Sequence, residues 1–221
     1  MSKAVGCIYW QRRRVFLYDR PMRRRFSSVL RSGCIAALAA LMGLAQTNSN
    51  QDQISAAYDT HKSEFDYLLG DWEFTATSQD YGKLNGRWSA VRLDTGQILD
   101  EYRVLGPKGE TYYVTTTIRA YNPVAGRWEL LGMDRLGGLQ DFGTAQRVGA
   151  EMHIEQKFGV AKGNSVTLRI RYYNIGLDRF SWSADQSTDG GKTWVKEFRT
   201  IEARRIGPPR TMGPLTAMVK P

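Results

Sequence analysis

The chain of 221 residues carries 31 Lys and Arg against 22 Asp and Glu, a formal net charge of +9. That excess is local, because residues 1–45 hold nine basic residues and one acidic, while residues 46–221 hold 22 and 21. A near-neutral body has no electrostatic drive toward polyphosphate or an anionic membrane, so the composition disfavours nucleic-acid binding.

The basic leader reads as a targeting segment. Met22 to Arg25 and the stretch to Arg31 precede an apolar run from Cys34 to Ala45, which then gives way to polar Gln46 to Asn50. A charged segment, a 12-residue apolar run too short to span a bilayer, and the small residues Gly43 and Ala45 form a signal-peptide layout. Cleavage is expected after Ala45, with Met22 an ordinary-looking start and residues 1–21 an upstream extension. The mature protein is then periplasmic or secreted, with no membrane span left after cleavage. Both cysteines, Cys7 and Cys34, fall in the leader. Disulfides, a thiol nucleophile and cysteine-based metal sites are thereby excluded from the mature chain, which must be held together by core burial.

Residues 46–53 are polar and read as a linker. From Ile54 to Leu69 the apolar positions Ile54, Ala57, Tyr58, Phe65, Leu68 and Leu69 recur at helical spacing up to Gly70, which predicts one amphipathic helix. Residues 46–61 are therefore assigned to linker and helix start. Beyond Gly70 the period falls to two. Val166, Leu168, Ile170 and Tyr172 alternate with Thr167, Arg169, Arg171 and Tyr173, and Met152 to Phe158 alternate in the same way. Ten such segments are predicted, at 72–77, 86–93, 98–105, 112–121, 127–134, 139–148, 151–158, 166–173, 179–186 and 193–204. Short turns such as Asp94-Thr95-Gly96 and Val148-Gly149-Ala150 separate them, and within 62–206 the only prolines, Pro107 and Pro123, fall in turns. Ten consecutive hairpin-linked strands imply an antiparallel up-and-down meander, and closure into a barrel removes its two edges. The expected fold is all-β, a ten-stranded barrel over 62–206 with one N-terminal helix and a disordered proline-rich tail at 207–221.

Two motifs mark the ends of the meander. Gly70-Asp71-Trp72 opens the first strand, and Arg204 or Arg205 closes the last. A Gly-x-Trp and a final-strand Arg of this kind resemble those of lipocalin-like (calycin) barrels, where the guanidinium lies over the indole at the barrel base, so the resemblance implies structural roles for Trp72 and Arg205. Ser187 to Trp194 matches the Asp-box pattern S-x-D-x-G-x-T-W. In this single copy Asp189 is expected to accept turn N–H groups and Trp194 to pack under the turn, so the box reports hairpin geometry and not a sugar site. With Phe65 to Trp72, Tyr121-Asn122-Pro123, Gly126-Arg127-Trp128 and Gly132-Met133-Asp134, the string resembles the bacterial lipocalin-like proteins of domain of unknown function 1579. Tyr67-Leu68 stand where that group usually has Phe-Trp. The resemblance implies a fold and no reaction.

If the barrel holds a cavity, one face of each strand lines it, and the candidates are Trp88, Tyr102, Trp128, Gln156, Tyr172, Trp182 and Phe198. Aromatic walls with a few polar groups suit a small hydrophobic or amphipathic ligand, although such rings can equally fill a small barrel. Asp100, Glu101, Asp134 and Asp141 lie near aromatic strand positions, and a buried pair of carboxylates could do the acid–base work of an isomerase or hydrolase. His61 and His153 are the only histidines. Alternation turns His153 outward, against a haem-ligand role, and two isolated histidines make no three-histidine metal site. The sequence calls for no cofactor and no metal.

Overall fold

The computed structural model describes residues 50–213; the leader and its expected cleavage site lie outside them. Residues 50–61 form α1. The strands follow as β1 (Gly70–Ser78), β2 (Gly82–Leu93), β3 (Ile98–Leu105), β4 (Thr111–Asn122), β5 (Arg127–Asp134), β6 (Gly138–Val148), β7 (Glu151–Phe158), β8 (Val166–Tyr173), β9 (Arg179–Ser187) and β10 (Val195–Gly207). Each pairs antiparallel with the next, and β1 pairs with both β2 and β10, so the ten strands close into an up-and-down barrel of the lipocalin-like kind. A further strand, β11 (Arg210–Met212), lies in the segment expected to be disordered and pairs in parallel with Val91 to Leu93 of β2. Among the described residues no helix is long and apolar enough to cross a membrane.

Alternation sets the inward face. In β1, Trp72, Phe74, Ala76 and Ser78 are buried between more exposed neighbours, and in β3 Ile98, Asp100, Tyr102 and Val104 behave alike. The predicted helix is shorter than its apolar pattern. The last helical hydrogen bond runs from Lys62 N–H to the Tyr58 carbonyl, and Asp66–Leu68 then form a single 3-10 turn. The i, i+3, i+4 spacing of Phe65, Leu68 and Leu69 is not a continuing helix. It belongs to a plug, since Phe65 and Leu68 are 0% exposed and fill the end of the barrel where β1 begins.

That end is sealed by Trp72. Its indole N–H donates to the Leu68 carbonyl at 2.8 Å, its ring meets Phe180 edge-on at 4.8 Å, and the Arg205 guanidinium sits 4.0 Å above it. Arg205 donates to the carbonyls of Leu69 and Tyr67 in the plug and of Leu177 in the β8–β9 connection, tying the two together. Gly70 makes the close approach possible. Its φ of +104° is open to glycine, and a Cβ there would run into Arg205 and the carbonyls of Gly207 and Pro208.

The Asp box closes the β9–β10 hairpin. Asp189 accepts from Lys192 N–H and Thr193 N–H, from the Thr193 hydroxyl and from the Ser187 hydroxyl, and the Thr193 bonds lead in holding its carboxyl down to about 2. Trp194 donates to the Gly191 carbonyl, and Arg169 lies 4.1 Å over its ring. Every one of these contacts stays within the hairpin and the neighbouring strand β8.

Candidate functional site

Beyond the plug the barrel interior holds a cavity of about 130 Å³, which runs toward the end where β1 stops and β2 starts. Aromatic and aliphatic side chains make up most of its wall. Six of the seven predicted residues line it: Trp88, Tyr102, Gln156, Tyr172, Trp182 and Phe198. Trp128 does not. It points inward but at the plugged end, edge-on to Phe65 at 5.0 Å, with its indole N–H donating to Glu64 at 2.9 Å. Alternation assigns the face of a strand and leaves the depth along the barrel axis open, so it does not separate Trp128 from the residues of the cavity wall.

Of the four carboxylates considered for acid–base work, two face in and two do not. Glu101 is paired with Arg103 on the outer face, and Asp134 accepts the backbone N–H groups of Leu136 and Gly137 in the β5–β6 turn. Asp100 and Asp141 are each 2% exposed and line the cavity. Asp100 accepts the Trp88 indole N–H at 2.7 Å and forms an ion pair with Arg119, which is 3% exposed. Arg119 escapes a sequence reading because a charged residue in a strand is taken as solvent-facing, yet it shares its face with Thr115, Thr117 and Tyr121.

Asp141 has no such partner. Its Oδ1 is buried without a hydrogen bond, and its carboxyl lies over Gly132, where a Cβ would collide with it. Burial raises its pKa, with Gln156 and the Arg119 charge working against the rise. Tyr172 and Tyr113 are pushed up to about 12, also by burial, so both phenols stay neutral and can donate. A carboxyl whose folded pKa exceeds its unfolded value of 3.8 destabilises the fold when ionised. The fold therefore loses this stability as pH rises through the folded pKa and keeps it below the unfolded one. We expect Asp141→Asn to stabilise the barrel relative to the parent more at pH 7 than at pH 3. Thermal melts across that range would show a gap widening with pH, and a gap widening toward acid would reverse the assignment.

Arg199 is the second charged group that the sequence did not reveal. It lies on the inward face of β10 with the buried Ile201 and Ala203, opposite Ser78 of β1, and Phe198, at a bulge between Val195 and Arg199 where Glu197 has φ +47° and its N–H bonded to Asp185, lines the cavity as well. The Nε of Arg199 is buried and unbonded, and among the described residues no carboxylate pairs with it. The nearby Tyr102 hydroxyl is also unbonded. Burial raises the Tyr102 pKa, and the Arg199 charge opposes that rise.

Neither histidine reaches this space. His153 is on the outer face with Glu151 at 2.7 Å, and His61 stacks on Tyr121 at 4.7 Å and bonds Glu64. A haem held by His153 inside the barrel has no ligand there.

No family model and no curated protein matches the chain. Among solved structures it is similar to Rv2717c from M. tuberculosis, at 15% identity over 68% of this chain and 97% of that one, with a TM-score of 0.48. It is also similar to a redesigned beta barrel, mFAP1, bound to DFHBI, at 14% identity over 63% and 95% of the two chains, with a TM-score of 0.34. The lipocalin-like description rests on the strand order, the closure and the Trp72–Arg205 base of this chain itself.

Proposed function

We propose that this barrel binds a small amphipathic molecule in its cavity and does so outside the cytoplasm, after removal of the leader at Ala45. The observation that carries the binding reading is the cavity of about 130 Å³, walled by rings and aliphatic chains and interrupted by a few buried polar groups. Space of this order, roughly 150 Å³, is enough for a benzene-sized ring, and the mixture of apolar wall and fixed polar groups is that of a small-molecule site. The leader layout and the cysteine-free body support export. The Gly70-Asp71-Trp72 and Ser187 to Trp194 motifs support placing the chain beside the lipocalin-like proteins of domain of unknown function 1579.

The full chain produced in an exporting host tests both parts by native mass spectrometry before and after solvent extraction. The expected protein mass begins at Gln46. The expected preparation also carries a defined extra mass that extraction removes, or answers a ring-bearing probe such as benzyl alcohol through the fluorescence of Trp88 and Trp182. An uncleaved mass would overturn the export reading. Absence of both retained mass and fluorescence response would overturn the binding reading.

A further inference from the structure

Once Asp100 and Arg119 have paired, the cavity wall retains one cation and one carboxylate outside any ion pair, Arg199 with an unbonded Nε and Asp141 with an unbonded Oδ1. Around the closed ring, β10 and β6 are separated by three strands one way and five the other, so these two groups stand on nearly opposite walls of one space. We propose that the ligand is a small ring-bearing zwitterion, whose carboxylate pairs with Arg199 and whose ammonium is held by Asp141. This deepens the binding reading above and rests on it.

A buried charge without a partner is costly, and the cost is removed only by an opposite charge or by several hydrogen bonds. A neutral ligand leaves both groups unpaired, an anion leaves Asp141, and a cation leaves Arg199. Only a molecule with both signs satisfies the two walls together. Local chemistry agrees at each pole. The guanidinium of Arg199 is a planar fork matched to a carboxylate, and the unbonded Tyr102 hydroxyl beside it can donate to the same anion. At the other wall, Asp141 offers an unbonded Oδ1 as acceptor. Between the poles, Tyr172 and Trp182 present ring faces and edges to an apolar body.

The test is calorimetric titration of the full chain with 3- and 4-(aminomethyl)benzoate as zwitterions, benzoate as the anion, benzylamine as the cation and benzyl alcohol as the neutral reference. One zwitterion is expected to bind about tenfold or more tightly than each single-charge or neutral probe. Arg199→Gln should lower zwitterion affinity to the benzylamine level and leave benzylamine itself unchanged, with Arg199→Lys retaining part of the preference. Asp141→Asn should do the converse, lowering zwitterion affinity to the benzoate level. Equal affinity for all five probes, or variants that weaken benzyl alcohol as much as the zwitterion, would overturn the proposal and leave the binding reading standing. Failure of every probe, benzyl alcohol included, would overturn the proposal, and with no retained mass it would overturn the binding reading as well.

Discussion

Trp72→Ala is expected to cost the barrel about 3–5 kcal/mol, the range for removing a fully buried large aromatic side chain. The position is unfavourable for relaxation. Trp72 is 0% exposed, with Phe180 against one edge and Arg205 across one face. Truncation leaves the Arg205 guanidinium above an empty space and removes the donor to the Leu68 carbonyl. Trp72→Phe keeps a ring beneath the cation but loses the N–H and part of the indole volume, and is expected to cost about 1–3 kcal/mol, less than the alanine variant. Urea denaturation midpoints for the two variants would check both values. A loss below about 1 kcal/mol for the alanine variant would show that the base is not a packed seal.

Arg119→Met is expected to cost a similar amount, about 3–5 kcal/mol, for a different reason. The pair with Asp100 lies inside the barrel, and taking away the cation strands a carboxylate that is 2% exposed. The loss measures the stranded charge and not the worth of the pair. Adding Asp100→Asn should therefore recover most of it, since the amide keeps an oxygen for the Trp88 indole N–H and carries no charge. The same denaturation experiment decides the matter through non-additivity: the double variant should be more stable than Arg119→Met alone. If the two losses simply add, the pair is not the dominant interaction at either residue.

The ten strands were legible because alternation and turn residues are local signals, and eight consecutive residues such as Glu151 to Phe158 suffice to give both the element and its faces. What could not be read was anything fixed by the third dimension. Phe65 and Leu68 carry a helical spacing, yet they fold as a 3-10 plug, because burying both rows of side chains in the barrel end outweighs continuing the helix. Trp128 and Trp88 both face inward, and only the assembled barrel puts one against Phe65 and the other on the cavity wall. Arg199 alternates with the buried Ile201 and Ala203, but a charge at the end of that row reads as solvent-facing. Arg119 was hidden by the habit of reading charges outward, although the inward Asp100 on the adjacent strand already called for a cation. The wall of the site and its two carboxylates were visible in the sequence, and its two cations, Arg119 and Arg199, were not.

The pairing of β1 with β10 also sets a timetable for folding. Trp72 meets Arg205 across a registered strand pair whose partners lie more than a hundred positions apart in the chain. Contacts of such long range require most of the chain to be confined before they form, so folding is slow, in the millisecond-to-second range of high-contact-order β proteins. The ring cannot close while any part of β10 is still on the ribosome. Until that moment β1 and the growing strand each present an open ladder of backbone donors and acceptors. The barrel thus cannot complete itself, nor the seal at Trp72 form, until the last strand has been released.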